Sequence, residues 1–241
     1  LENFFIYICI ILVASILQTS TGFGFSIMAT PFLLLLFKPS EAIQINIILS
    51  LIISLALIMK VKKSIDTYLL KKLILGSIMG LPLGGLIYLT VDIKTFKLLI
   101  SIILLLLTLM LIFNVRFKST TDRDYIVGGI SGVLTISIGM PGPPLLIYFA
   151  GTNTGKEKTR ATTLAFFLFI YLISLLSQLF LTGTDMLVWR SSLYAIPAVF
   201  IGLILGQILF KYLNQQVFKI FTYILLGGTG IYLLIDSILS L

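Results

Sequence analysis

The sequence has no histidine and a single cysteine, Cys9. Without an imidazole, Ser-His proteolysis and HExxH zinc chemistry are excluded. One thiol forms neither an internal disulfide nor a CxxC redox pair. Charge is scarce as well. Asp, Glu, Lys and Arg make up 11% of the 241 residues, against about 25% in an ordinary soluble domain. Acids are the scarcer sign, 9 against 17 Lys+Arg. No GxxxxGK[ST] phosphate loop occurs, so ATP-driven work would need a partner. What the chain does have is apolar bulk: 59% hydrophobic residues and a mean hydropathy of +1.15. A water-soluble globular fold is excluded. The net charge of +8 reads as cytoplasmic loops of a membrane protein rather than as a nucleic-acid surface.

The uncharged runs outline the architecture. Residues 42–59, 73–91, 98–115, 161–184, 191–210 and 220–235 each suit one crossing, since a membrane helix needs about 20 apolar residues. The runs 3–37 and 125–155 are too long for one helix and are interrupted. The first contains Gln18-Thr19-Ser20-Thr21-Gly22-Phe23-Gly24 and then Pro31; the second contains Ser137-Ile138-Gly139-Met140-Pro141-Gly142-Pro143-Pro144. Such clusters break helices. Each long run therefore reads as two short helices joined by non-helical backbone, which is tolerated at membrane depth only inside protein or beside a polar cavity. The first residues, with Glu2 and no basic stretch, do not read as a cleavable leader.

The chain also reads as a duplication. Gly80-Leu81-x-Leu83-Gly84 recurs as Gly202-Leu203-x-Leu205-Gly206, and Phe96-Lys97 as Phe218-Lys219. Gly22 aligns with Gly139. The polar helix start Gln44-x-Asn46 aligns with Arg160-x-Thr162-Thr163. Charge tests the orientation. If each broken segment returns to the side it entered, the second repeat is inverted and the 17 basic residues divide 13 against 4. If each crosses once, the repeats are parallel and the division is 9 against 8. The positive-inside rule favours the asymmetric solution. The expected fold is an all-α polytopic membrane protein of two inverted repeats, 1–118 and 119–241. Each repeat is a broken, re-entrant helix pair followed by three transmembrane helices. Two full crossings per broken segment would give the same count.

Inverted repeats with discontinuous helices point to secondary transport, with the site near the midplane. A helix that starts inside the membrane presents free N–H groups and a positive dipole end, which attract an anion. The two candidate starts follow Gly22-Phe23-Gly24 and Gly139-Met140-Pro141-Gly142. Thr19, Ser20, Thr21, Ser26 and Ser137 add hydroxyls, and the glycines allow an oxyanion close to the backbone. Glycine and proline clusters also serve packing alone; their recurrence at matching places favours a site. Arg160 is either a topogenic charge or a substrate ligand. Gln44, Asn46, Thr162 and Thr163 either join it or bridge helices. Gly76, Gly80, Gly84, Gly202 and Gly206, spaced by four, read as close helix packing. No run carries an acid or histidine, so no proton relay is expected at mid-depth. Uniport, exchange, a channel-like path or sodium coupling remain open. No catalytic residue, cofactor or metal is expected.

These residues resemble the sulfite exporter TauE/SafE family. The resemblance rests on the break before a proline (Gly22-Phe23-Gly24…Pro31), the second break after Ser131-Gly132 (Gly139-Met140-Pro141-Gly142-Pro143), and the GLxLG and FK elements. The usual run of three glycines is replaced here by Gly22-Phe23-Gly24 and Gly139-Met140-Pro141-Gly142. The resemblance implies a multi-pass inner-membrane protein that exports sulfite, thiosulfate, a sulfonate or a small carboxylate. Its partners would be a small anion and the bilayer, with homo-oligomers compatible. An anion channel is the rival reading.

Overall fold

The computed structural model describes residues 2–90, 93–113 and 120–212, with scattered positions from 214 to 235. Arg116, Lys118, Phe218, Lys219 and part of the run 220–235 lie outside the described residues, as do the side chains of Lys94, Phe96 and Lys97. Among the described residues there are nine α-helices and no strand: α1 (Glu2–Thr21), α2 (Phe25–Leu36), α3 (Pro39–Val61), α4 (Thr67–Thr90), α5 (Ile93–Ile112), α6 (Thr121–Ile138), α7 (Gly142–Gly151), α8 (Lys156–Leu181) and α9 (Met186–Tyr212). Five of them, α1, α3, α4, α8 and α9, are long and apolar enough to cross a membrane.

The outward faces are apolar and the interior is rich in polar groups. Phe180, Met79 and Phe5 are exposed, whereas Ser15, Gln18, Gln44, Asn46, Ser50, Ser54, Thr162 and Thr163 are buried. Water does not produce that distribution, because exposed apolar surface on this scale would be driven to associate. A bilayer does, since lipid tails are as apolar as leucine and polar side chains then hold helices together from within.

Directions follow from the contacts. The Tyr7 hydroxyl near the start of α1 donates to the Ser191 carbonyl near the start of α9 (2.9 Å), and the Tyr7 ring lies 5.4 Å from Phe37, just past α2. So α2 returns toward the end where α1 began. At the opposite end, the Tyr148 hydroxyl of α7 donates to Asp124 in the first turn of α6, so α7 likewise returns toward the start of α6. α3 and α8 lie side by side and antiparallel: Gln44 Nε2 donates to the Gly183 carbonyl (2.9 Å), and Thr162 Oγ1 accepts from the Asp66 N–H (3.0 Å). Lys60, Lys63, Lys156, Lys158 and Lys211 thereby gather at one end, which we call the lysine-rich end; Lys38 and Arg190 lie toward the other.

Two expectations need correction. The paired helices are not both short: α1 has 20 residues and α6 has 18, against 12 in α2 and 10 in α7. The longer members pack over most of their length against α9 and α4, which lets them extend. The first break is also narrower than the sequence implied, because Pro31 lies inside α2 rather than ending it. Proline removes one ladder bond but does not always stop a helix held by its neighbours.

The spaced glycines set the tightest contacts. A Cβ on Gly76 would lie 2.1 Å from the Tyr125 carbonyl oxygen, and one on Gly80 2.1 Å from that of Gly129. On α9, a Cβ at Gly202 would lie 2.4 Å from Ser15 Cβ, and one at Gly206 2.5 Å from Thr19 Cβ. The chain numbers rise together along both pairs, so α4 runs parallel to α6 and α9 parallel to α1. Gly80→Ala is expected to lower the thermal midpoint and the monodisperse yield in detergent, because backbone cannot move aside as a side chain can. Gly85→Ala is the control: its Cβ would meet only Leu181 Cδ1 at 3.9 Å, so the midpoint should hold or rise with the better helix propensity.

Candidate functional site

Each break is built the same way. α1 ends where the Gly22 N–H donates to the Gln18 carbonyl (2.8 Å), and α6 ends where the Gly139 N–H donates to the Thr135 carbonyl (2.8 Å). Gly22 has φ +88° and Gly139 φ +68°, the left-handed conformation that glycine adopts without a Cβ penalty. Each also touches a side chain of the other half. A Cβ on Gly22 would lie 2.7 Å from Arg160 Cα on α8, and one on Gly139 2.8 Å from Asn46 Nδ2 on α3. Hydrogen bonds complete both clamps. Arg160 Nε donates to the Thr19 carbonyl (2.7 Å), and Asn46 Nδ2 donates to the Gly139 carbonyl (2.7 Å).

The two tips meet in the interior. Gly142, at the start of α7, lies against Phe23 and Ile27; a Cβ there would be 3.5 Å from Phe23 Cβ. That is ordinary contact, so Gly142 is not crowded as Gly22 is. Thr19, Ser20, Thr21, Gly22, Phe23, Gly24, Asn46, Ser137, Gly139, Met140, Pro141, Gly142, Arg160 and Thr162 are all buried. Several hydroxyls are occupied locally. Ser20 and Thr21 donate to the Leu17 carbonyl, Ser137 to that of Val133, and Thr162 accepts from Asp66. Thr19 Oγ1, Asn46 Oδ1 and Thr163 Oγ1 are buried without a hydrogen-bond partner.

Arg160 stands out electrostatically. It is 7% exposed, and its Cζ lies 4.2 Å from the centre of the Phe210 ring. The cations Lys72 and Lys158 have carboxylate partners, Asp124 at 2.9 Å and Asp66 at 2.7 Å. Arg160 makes no ion pair with any described carboxylate; its Nε donates to a neutral carbonyl, that of Thr19. Buried charges are ordinarily paired.

Sequence reasoning missed several of these partners. Lys72 entered only the count of 17 basic residues, yet it is buried, bonded to Asp124 and to Thr121 Oγ1 (3.0 Å), with its Nζ 4.0 Å over the Tyr68 ring. The available signal was that Lys72 and Asp124 each border an uncharged run with opposite signs. Phe210 and Asp66 left no comparable trace.

Clefts lie at both ends of the α3/α8 pair. One at the lysine-rich end, about 850 Å³, is lined by Lys63, Asp66, Tyr68, Lys156, Glu157 and Lys158. The other, about 420 Å³, is lined by Lys38, Glu41, Gln44, Thr182 and Asp185. Neither reaches the tips, which are closed off from both.

A family model described as "Sulfite exporter TauE/SafE" matches residues 7–233. The chain belongs to this family. No curated protein and no solved structure matches it. As a TauE/SafE family member with several apolar helices of membrane-spanning length, it is a multi-pass membrane protein of the transporter class.

In this TauE/SafE chain the Asp66–Lys158 pair ties the loop before α4 to the first turn of α8. Burial pushes the Asp66 carboxyl up, but hydrogen bonds from Lys158 and from the Leu69 and Tyr68 N–H groups outweigh it, with the Lys158 charge, and hold it below the usual carboxylate value. The folded form thus favours the ionised carboxylate. Its contribution is present above the unfolded-state value, about 3.9, and is lost as pH falls through the lowered folded value. The protection factors of the amides in residues 62–67, taken relative to intrinsic exchange at each pH, should therefore fall on acidification below about pH 4. Asp66→Asn should bring that loss of protection to neutral pH.

Proposed function

We propose that this chain is a secondary-type transporter that exports a small sulfur anion (sulfite, thiosulfate or an organosulfonate) across the inner membrane. In this reading residues 1–118 and 119–241 are inverted repeats, each opening with a broken pair, α1/α2 and α6/α7. The anion lies between the starts of α2 and α7. Support for the repeats comes from the glycine breaks at Gly22 and Gly139, the parallel α1/α9 and α4/α6 contacts, and the return of each short helix to its starting end.

The observation that carries the reading is Arg160. A guanidinium in a nearly acid-free interior, beside the first break and without a carboxylate, lacks its negative partner. A sulfonate or sulfite oxyanion supplies that charge and matches the planar fork in geometry. The dipole of α2 adds to the same field, and the unpartnered Thr19 hydroxyl is available to donate. Rocking one repeat against the other around this point would open it to each side in turn.

Counterflow of labelled sulfite, thiosulfate and taurine in proteoliposomes tests this. The unmodified protein should show saturable exchange with at least one of them. Arg160→Gln should weaken it by about 10- to 100-fold, the worth of a hydrogen bond to a charged group, and Arg160→Lys should recover part. Wild-type exchange by a folded Arg160→Gln protein would overturn the site.

A further inference from the structure

The two clefts occupy corresponding places, yet they differ in charge and in what lies at the floor. The cleft at the lysine-rich end is bounded by the loops before α4 and α8; the other is bounded by the loops before α3 and α9. Exchanging the two halves of the chain exchanges these loops. The first carries three lysines, Lys63, Lys156 and Lys158, against two acids, Asp66 and Glu157. The second carries one lysine, Lys38, against two acids, Glu41 and Asp185.

Helix stability does not account for the lysines. Lys156 and Lys158 stand in the first turn of α8, where the dipole already presents positive charge and disfavours cations. The residue before that turn is Gly155, with no side chain to cap the free N–H groups. Acids stand at the helix starts of both clefts, Asp66 accepting from the Leu69 N–H of α4 (3.0 Å) and Glu157 in the first turn of α8 at the lysine-rich one, so the clefts differ in their lysines. At the opposite one, Glu41 Oε2 accepts from the Lys38 N–H (3.0 Å) within the first turn of α3, and Asp185 Oδ1 accepts from the Leu187 N–H (3.1 Å) of α9.

The floors differ in the same sense. Lys156 and Arg160 are one helical turn apart and approach the same Phe210 ring, Lys156 Nζ at 5.0 Å and Arg160 Cζ at 4.2 Å from its centre. Between cleft and Arg160 the Asp66 loop closes the way through its bonds to Lys158 and Thr162. The residue in the other cleft that aligns with Arg160 is Gln44, a neutral amide bonded to the Gly183 carbonyl.

We propose that the clefts are unequal vestibules: the lysine-rich one captures the anion and passes it from Lys156 to Arg160, while the other binds it weakly. This rests on the transport reading above and adds to it an asymmetry of apparent affinity between the two sides. The lining of the first cleft is net positive and that of the second net negative, and a net positive lining concentrates anions. The rate of entry from the lysine-rich end should therefore exceed that from the opposite end and fall steeply with ionic strength. The positive-inside rule turns that end to the cytoplasm.

The test is uptake of labelled sulfite and thiosulfate by inside-out and right-side-out vesicles from cells expressing the full chain, compared with the Lys63→Gln/Lys156→Gln protein. Neither lysine belongs to the buried site, and the thermal midpoint of the purified variant checks its fold. The unmodified protein should show a lower KM in inside-out vesicles. The double variant should raise that KM by about three- to tenfold, flatten its salt dependence, and leave the right-side-out KM unchanged, with the ratio of the maximal rates in the two orientations shifting by the same factor because the overall equilibrium is fixed. Equal KM values in the two orientations, or equal changes in both, would overturn the vestibule asymmetry while leaving the transport reading intact. No saturable uptake by the unmodified protein in either orientation would overturn both.

Discussion

The tips of the two breaks are held by polar side chains from the opposite half of the chain, and the interior is organised around those two clamps. Gly22 packs against the backbone of Arg160 while Arg160 Nε holds the Thr19 carbonyl; Gly139 packs against Asn46 while Asn46 holds the Gly139 carbonyl. Non-helical backbone in an apolar medium is costly unless its carbonyls and N–H groups find partners. Each half cannot satisfy its own break, because the helix that precedes it has ended. The other half does so with a polar side chain from the N-terminal part of its long helix, Arg160 in the second turn of α8 and Asn46 in the third turn of α3. Folding of either break therefore depends on the presence of both halves, and a shift of one half against the other must act on both clamps.

That arrangement puts polarity inside and leaves the outside to lipid. The glycine contacts make it feasible. Where α4 meets α6 and α1 meets α9, the backbones approach so closely that a single methyl would collide with carbonyl oxygens or neighbouring side chains. Without a hydrophobic drive between helices in lipid, close packing and interior hydrogen bonds carry the association. Gln18 bonding the Ser50 carbonyl (3.0 Å) and Gln178 bonding that of Ile136 (3.1 Å) are such links. The Lys72–Asp124–Tyr148 cluster is another. It anchors α4, α6 and α7 together at the lysine-rich end.

Much of this was legible in the sequence because it depends on backbone requirements that only a few residue types meet. Gly22 and Gly139 declare a break because no other residue both adopts positive φ freely and lets a neighbour this close. The four-residue glycine spacing declares helix contact for the same reason. Arg160 and Asn46 were visible as polar residues at helix starts, since an interior so poor in polarity makes each one conspicuous. Helix length was not legible. α1 and α6 extend to 20 and 18 residues because α9 and α4 support them, and support by a distant segment leaves no local mark. Pro31 misled for a similar reason, since surrounding helices stabilise α2 through it. Phe210 was unreadable as a site neighbour: one phenylalanine in an apolar run resembles every other, and only the fold brings it under Arg160.

The two breaks differ in chemistry, and on the transport reading proposed above that difference bears on where an anion would sit. At the start of α2 the first turn carries Phe25, Ser26 and Ile27, whose N–H groups have no acceptor within the helix. At the start of α7 the corresponding turn is Gly142, Pro143, Pro144. Proline has no N–H, so two of the donors that would face an anion are missing there. The dipole of α7 remains, but its hydrogen-bonding capacity is largely removed. Arg160 sits beside the first break and the neutral Asn46 beside the second. Donors and charge thus concentrate on the α2 side of the meeting point. The α7 side offers Gly142, with Phe167 of α8 against it at 3.6 Å from the position of a Cβ. On that same proposed reading, a ligand with one charged and one apolar end, such as a sulfonate on a short carbon chain, would fit that polarity better than a symmetric oxyanion. It would lie with the oxygens toward Arg160 and its carbon toward Phe167.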